Sequence, residues 1–497
     1  YSTPLPQQPR LPHMSLPQQT WWESSSIDEI HHRQGKLLSR FLKDRVLPFT
    51  QHYKDAFSAV GLDAEDIQST DDLVKVPFTD KAQFGETRDF VIIPKPEILK
   101  KQWSSIKLAL RHGPNGAQRR LERELRPIFM TSTTGRSAEP IPFLYTQHDL
   151  DRLKVSGQRL MQICKSRPEY RHINAFPFAP HLAFWQAHYA GLGHNTFTLS
   201  TGGGKTIGTD GNIRIITKMN PDAIIAMPTF IYHLMQGAAE EKANWSNLTT
   251  LVLGGEKVPL GMRRKLRELC AQVGANQVDI MSTYGFTEAK VAWSECRPPE
   301  GEESSGFHIY PDMGFVEVIN PETCERVPEG HPGEIVFSQL DARGSVVLRY
   351  RTGDLIEKGI SHAPCPHCGR TCPRLVGKIS RVSDVHHLNL DKLKGTLVDF
   401  NKLEHLIDDT PGVGAWQVEI RKQNDDPLEI DELIIHVVPM GSDAGLSESI
   451  IRRFKNQLEL SPNSIQFHSW ESMRELQGVG TELKEQKLID NRPKGKL

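Results

Sequence analysis

At 497 residues the chain exceeds the length at which a single hydrophobic core stops growing, so at least two domains are expected. Its 38% hydrophobic and 24% charged residues are ordinary for a soluble protein, and a net charge of −1 gives no bulk electrostatic reason for nucleic acid or an anionic membrane as partner. No apolar run approaches the roughly 20 residues that span a bilayer. The Pro- and Gln-rich opening lacks the apolar segment of a signal peptide, so a cytoplasmic protein is expected.

Residues 1–25 read as a disordered or non-native extension, with Met14 as a candidate native start. Ser26 and Glu29 have the spacing of a capping box, and Ile27, Ile30, Leu37, Leu38, Phe41, Leu42 and Val46 then recur at helical intervals. Residues 97–126 carry Lys100, Lys101, Arg119, Arg120, Arg123 and Arg126 and read as a solvated helical face and loop, to which no function attaches.

Thr131, Ser132, Thr133 and Thr134 follow one another directly, with Gly135 and Arg136 after them, between the apolar stretches 127–130 and 140–145. The pattern predicts a hydroxyl-lined loop between two strands. Such a loop can wrap phosphate oxygens with backbone N–H groups and hydroxyls; an ordinary polar hairpin turn has the same composition.

An alternating series follows: a helix near 148–165, strands at 173–178, 213–217 and 223–227, a helix near 229–240, a strand at 250–253, a basic helix at 262–272 and a strand at 278–281. This alternation predicts a layered α/β domain. Gly202, Gly203, Gly204, Lys205 and Thr206 end like a nucleotide-binding P-loop, but Leu199 stands where that motif needs glycine. Short strands at 307–310, 314–319, 334–339 and 345–350 predict a small antiparallel β module. Beyond about 382, strands at 417–420, 432–438 and 465–467 with a helix at 447–458 predict a separate α+β domain.

Three further stretches bear on the hydroxyl loop: Ser282-Thr283-Tyr284-Gly285-Phe286-Thr287-Glu288, read as one tight turn that follows a strand; Tyr350-Arg351-Thr352-Gly353-Asp354, read as the exit of a strand; and Val376-Gly377-Lys378-Ile379-Ser380-Arg381. In this order the four motifs resemble those of the adenylate-forming superfamily, the acyl- and aryl-CoA ligases and related adenylating enzymes. Phe307-His308-Ile309-Tyr310, Phe315-Val316-Glu317-Val318-Ile319 and the Cys365-Pro366-His367-Cys368 segment resemble the phenylacetate-CoA ligase branch, and the similarity covers most of residues 30–495.

The resemblance implies a large α/β N-terminal domain over 26–381, with a zinc-bearing β module at about 296–380, and a smaller mobile α+β lid over 382–497. It implies that Ser132, Thr133, Thr134 and Gly135 hold the β- and γ-phosphates of ATP, and that Thr287 and Glu288 are catalytic, with Glu288 binding Mg²⁺. Tyr284 and Gly285 would lie at adenine, Asp354 would accept the ribose hydroxyls and Arg381 would mark the hinge. Gly254, Gly255 and Glu256 would line the adenine and acyl pockets. Alignment of the C-terminus brings Lys484 to the catalytic lysine position, with Lys487, Lys494 and Lys496 as rivals. His181, Phe184 and Trp185 are candidates for the acid pocket, where aromatic rings suit a flat aryl acid; they read equally well as core.

Seven cysteines, an odd number in a long chain, argue against a disulfide framework, and three of them fall between Cys365 and Cys372. Cys365 and Cys368 have the C-x₂-C spacing of a zinc knuckle. In the branch it resembles, Cys296 and His308 accompany that pair, which implies a closed structural Zn²⁺ site; Cys372 and His367 are alternative ligands, and free thiols are the other reading. The chain departs from the family at Ser132 and Arg136, where glycine and lysine are usual, and at the hinge, where only Arg381 and Asp384 remain.

The implied activity is ATP-dependent conversion of a small-molecule carboxylic acid, an aryl acid by preference, to its adenylate, followed by thioester formation with CoA. Alternatives are transfer to an amine or a carrier protein, nucleotidylation of a hydroxyl as in deazaflavin-coenzyme synthetases, or a zinc-stabilised binding protein without catalysis. A homodimer is among the partner expectations.

Overall fold

The computed structural model describes residues 21–133, 140–299, 302–381, 385–390, 393–422, 431–458, 461–479 and 485–492, with the backbone alone for 385–390, 393–399, 401 and 402. Its centre is a six-stranded sheet in the order Phe197–Ser200, Arg171–Asn174, Ala223–Ala226, Thr250–Gly254, Asp279–Phe286 and Val291–Ser294. The first five strands are parallel and the last antiparallel. Ala223–Ala226 and Thr250–Gly254 are buried at every position, which is why they read as unbroken apolar runs: helices cover both faces of a parallel sheet. Strand order reverses at Arg171–Asn174, which is followed in sequence by its neighbour on one side and then by its neighbour on the other, and in open α/β sheets a ligand crevice forms at the carboxyl ends of the strands at such a point.

Two elements flank that edge. The strands Pro127–Ser132 and Pro142–Thr146 form an antiparallel hairpin, as the hydroxyl-loop pattern predicts. A four-stranded antiparallel sheet, Gly314–Ile319, Gly333–Gln339, Tyr350–Ile356 and Ile379–Arg381, carries the second set of motifs. Beside it lies a three-stranded sheet of Phe307–His308, Arg374–Leu375 and Ile360–Ser361. The C-terminal strands Val413–Lys422, Asp431–Pro439, Ser464–Phe467 and Leu488–Asp490 form a mixed sheet. Leu403, Ile407, Val418, Ile435, Ile450 and Phe454 make its core, separate from the two cores of the rest of the chain.

Four expectations are corrected. Residues 213–217 are helical, within Gly204–Met219. Ile213 and Ile216 are buried at a spacing of three while Arg214 and Lys218 face outward, so the β-branched run serves one face of a helix. Residues 345–349 form no strand: all five are buried, but the backbone bonds in turn with Leu144, Phe90 and Thr79, three separate segments, and Arg349 has φ +44°. The strand begins instead at Tyr350 and contains the whole Tyr-Arg-Thr-Gly-Asp motif. The strand expected at 278–281 runs on to Phe286, so Tyr284 and Gly285 stand on a strand and the turn is confined to Thr287–Ala289. Finally, Trp21–Ser24 is helical and Trp22 is buried, its ring edge-on to Tyr310 at 5.6 Å and under the Arg159 guanidinium at 4.9 Å. Regular structure is therefore present before Ser26.

Candidate functional site

The base of the hydroxyl loop is fixed on both sides. Ser132 N–H donates to the Pro180 carbonyl at 2.6 Å, and His181 Nδ1–H donates to the Ser132 carbonyl at 3.0 Å. Thr133 N–H donates to the Ile141 carbonyl at 3.1 Å, while Ile141 N–H donates back to Thr133 Oγ1 at 3.0 Å. Ser132 and Thr133 are thus held at the mouth of the sheet, and Thr134, Gly135 and Arg136 lie outside the described residues. His181 caps the start of Leu182–His194, and its Nε2 is buried without a hydrogen-bond partner among the described residues.

Two carboxylates follow, Glu288 on the turn Thr287–Ala289 and Asp354 on the strand Tyr350–Ile356. Glu288 is buried; the Tyr350 hydroxyl donates to its Oε1 at 2.8 Å, and Gln339 Nε2 donates to its backbone carbonyl at 3.0 Å. Burial raises the Glu288 carboxyl above its usual range, since the hydrogen bonds it accepts only partly offset the loss of water. Two residues on, Lys290 Nζ donates to the Leu144 carbonyl at 2.7 Å and lies 3.3 Å from Asp149, which ties the Glu288 turn to the second strand of the hairpin. Thr287 opens that turn.

Tyr284 donates to Asp354 Oδ2 at 2.8 Å, and Arg381 Nε lies 2.9 Å from Oδ1, directly opposite Asp354 across the strand pair. Burial and the adjacent Asp354 push the Tyr284 hydroxyl well above its usual value, so it remains a donor. Gly285 continues the strand, paired with Ala292. Gly254 admits no side chain, because a Cβ would collide with Thr283, and Gly255 turns the chain at φ +84°. Glu256 Oε2 then accepts from Thr229 N–H and Oγ1 at 3.1 and 2.7 Å.

Of the aromatic candidates, Phe184 is buried in the core of the central sheet, and Trp185 packs edge-on against Phe129 at 4.8 Å. Phe178, 55% exposed, is the ring of this stretch turned to solvent, 5.0 Å from Phe184.

Lys484 lies outside the described residues, but the chain that follows it is fixed. Glu485 is half-buried with its Oε2 shielded from water, and this desolvation together with Glu256 pushes its carboxyl up. Lys487 Nζ lies 3.2 Å from Glu404 and 3.6 Å from Asp408, over the Trp416 ring at 4.9 Å. Burial opposes its charge, but Asp408, Glu404 and Glu256 more than offset this and hold the ammonium protonated. Around it the C-terminal sheet meets the central one: Tyr232 Oη and Lys265 Nζ both donate to the Gly414 carbonyl, at 3.2 and 3.1 Å, and His233 Nε2 lies 3.1 Å from Gln477 Oε1.

A second cluster sits at the three-stranded sheet. The donor atoms of Cys296, His308, Cys365 and Cys368 lie within 4.8 Å of one another. The Cys296 and Cys365 sulfurs are 3.6 Å apart, close to the edge of about 3.8 Å that a tetrahedron with 2.3 Å zinc–sulfur bonds requires. His308 Nε2 faces Cys368 Sγ at 3.6 Å, whereas Nδ1 faces Cys372 Sγ at 3.4 Å. Three sulfurs and one imidazole nitrogen fit a structural Zn²⁺. Cys372, an alternative ligand by sequence, stands behind the imidazole and orients it. His367 pairs with Glu302 at 3.5 Å.

Sequence motifs did not reveal Tyr350 and Gln339, which hold Glu288, or Glu404 and Asp408, which hold Lys487. The one available signal was Tyr350's place at the head of its motif.

Residues 181–342 match the family model of AMP-binding enzymes. The chain is similar to the phenylacetate-coenzyme A ligases of Aromatoleum evansii, 27% identical with 67% of each chain covered, and of Thermus thermophilus, 25% identical with 70% of this chain and 69% of that one covered. It shares its fold with 2-hydroxyisobutyryl-CoA ligase in the postadenylation state, in complex with R3-HIB-AMP: TM-score 0.73 at 19% identity, covering 95% of this chain and 91% of that one. Against the same ligase in the thioesterification state, with 2-HIB-AMP and CoA, the TM-score is 0.59 at 20% identity, with 95% and 92% covered.

Proposed function

For a chain that is a member of the adenylate-forming superfamily, on its phenylacetate-CoA ligase-like branch, we propose ATP-dependent activation of a carboxylic acid to an acyl-adenylate and then to a CoA thioester in the cytoplasm. The observation that carries this reading is the pairing of Tyr284 with Asp354, and of Tyr350 with Glu288, where the six-stranded sheet meets the four-stranded one.

In the first step the substrate carboxylate attacks the α-phosphorus of ATP and pyrophosphate leaves. Ser132 and Thr133, with Thr134 and Gly135, cradle the departing phosphates, and Arg136 replaces the usual lysine there. Tyr284 and Gly285 bound adenine on one side and Gly255 and Glu256 on the other, while Asp354 accepts from the ribose hydroxyls. Thr287 and Glu288 face the triphosphate. Mg²⁺, held by Glu288, would neutralise charge on the phosphate oxygens. Lys484 stabilises the transition-state charge.

In the second step the CoA thiol attacks the acyl carbonyl and AMP leaves. We assign residues 26–381 to the body and 382–497 to a lid hinged at Arg381. The better superposition on the postadenylation state of 2-hydroxyisobutyryl-CoA ligase fits a lid arranged for adenylate chemistry. His181, Phe184, Trp185 and Gly254 bound the acid pocket, which favours an aryl acid, and Cys296, His308, Cys365 and Cys368 hold a structural Zn²⁺. Acid-dependent ATP–pyrophosphate exchange over a panel of aryl and alkyl acids, with and without CoA, tests the reading. Exchange with an aryl acid and thioester on adding CoA are expected. Exchange without thioester would transfer the second step to an amine, a carrier protein or a hydroxyl, and absence of both ATP binding and exchange would leave a zinc-stabilised binding protein.

A further inference from the structure

The segment Trp103–Leu125, two helical pieces that meet at Gly113 (φ +72°) just before Pro114, stands outside both clusters. Ser105, Ala117 and Leu125 are its buried residues. On its outer side Trp103, Lys107, Leu110 and Arg111 recur at helical spacing, so they share one stripe, and all four are exposed. Trp103, at 65%, and Leu110, at 80%, are the most exposed large apolar side chains among the described residues. Lys107 Nζ lies 5.6 Å from the Trp103 ring centre.

The charge around this stripe is strongly one-sided. Between Lys100 and Arg126 there are eight Lys and Arg, all exposed, against Glu122 and Glu124. Glu124 is engaged inward, by Arg45 at 3.1 Å and Arg343 at 2.6 Å. A segment of +8 − 2 = +6 in a chain of net −1 leaves the remainder at −7, so the near-neutral total conceals a local cationic face.

A tryptophan and a leucine projecting from the cationic helical piece before Gly113 match the chemistry of interfacial helices, whose apolar side chains enter the headgroup boundary while their cations meet lipid phosphates. A rigid acidic protein would need cavities shaped to both side chains, whereas a fluid bilayer closes around them. We propose that Trp103–Leu125 is a peripheral docking surface for an anionic lipid bilayer. Trp103 and Leu110 anchor shallowly, and Lys100, Lys101, Lys107 and Arg111 supply the charge attraction.

Flotation of the full-length protein with phosphatidylcholine vesicles, and with vesicles containing about 30% phosphatidylglycerol, tests this at about 0.1 M salt, where screening is moderate. Binding to the anionic vesicles alone is expected. Each lost cation should weaken it about fivefold, so Lys107→Glu with Arg111→Glu should cut it by well over tenfold. Trp103→Ala with Leu110→Ala should weaken it at constant charge. Both double variants should retain the circular dichroism and pyrophosphate exchange of the parent. No binding, equal binding to neutral vesicles, or binding unaltered by either double variant overturns the proposal. Capture on immobilised polyglutamate without vesicle binding would overturn it in favour of an acidic protein.

Discussion

Cys296, His308, Cys365 and Cys368 turn their donor atoms on one another within 4.8 Å, with Cys372 behind the imidazole. Glu288, Tyr284 and Asp354 are instead held from behind, by Tyr350, Gln339 and Arg381, at the mouth of a parallel sheet. The first arrangement is closed: a metal at its centre would meet four protein ligands and have no position left for substrate. The second is open, and its buried Glu288 carries an ionisation cost that a bound cation would relieve. Closed clusters store stability and open ones reserve charge for a ligand, so perturbing the two should give opposite signatures.

The largest effect is expected at the closed cluster. Cys365→Ser should leave zinc substoichiometric by elemental analysis and destabilise the protein by on the order of 4 kcal/mol, the scale of losing a structural metal. Stoichiometric zinc in the purified parent that survives this change would break the contrast.

Next comes the open cluster's missing cation. Lys484→Ala should slow adenylate formation about 10²- to 10³-fold, as loss of one preorganised charge typically does, with little change in Tm. Lys487→Ala should do the reverse, because its ammonium is spent on Glu404 and Asp408. Adenylate formation at the parent's rate in Lys484→Ala would transfer the role to Lys487, Lys494 or Lys496.

Glu288→Gln tests the stored ionisation cost directly. Pyrophosphate exchange should fall about a hundredfold, yet the Tm without Mg²⁺ should rise. The sign follows from the raised carboxyl: the folded state holds the proton more tightly than the unfolded state, so the parent loses stability as pH rises above the usual value of 4.5. The advantage of glutamine should therefore be present near neutrality and vanish toward pH 4.5. A Tm gain that persists below that pH would mean packing, not charge, is responsible.

The two clusters were also unequally legible in the sequence. The C-x₂-C pair and the order of four motifs identified both, and the apolar runs at 223–227 and 250–253 identified the central strands, because burial on both faces leaves a plain compositional mark. What depends on side-chain direction was hidden. Nothing in the spacing says that Cys368 meets His308 Nε2 while Cys372 meets Nδ1. Glu288 and Tyr350 are 62 residues apart, and their bond exists only because the fold packs the Thr287–Ala289 turn against the strand Tyr350–Ile356. Ile213 and Ile216 misled because β-branched residues suit a strand by propensity, yet their spacing of three placed them on a helix facing the sheet. The cationic helix was visible as composition, but the joint exposure of Trp103 and Leu110 needed the fold.

The smallest effect separates two roles within the open cluster. Tyr284 contributes both a ring and a hydroxyl, and the hydroxyl is committed to Asp354 at 2.8 Å rather than pointing toward solvent. Tyr284→Phe keeps the ring and removes that donor, leaving Asp354 with Arg381. If the ring bounds adenine and the hydroxyl only orients the carboxylate, the loss should be about 1 kcal/mol, the net worth of one hydrogen bond. It should appear as an approximately fivefold rise in KM for ATP with kcat nearly constant, since a misoriented Asp354 weakens ribose binding equally in the ground and transition states. Tyr284→Ala should cost more in the same parameter. An equal fall in kcat and kcat/KM for Tyr284→Phe would instead mean that the hydroxyl acts on the reacting phosphate, and that Asp354 is not fixed in advance of ATP.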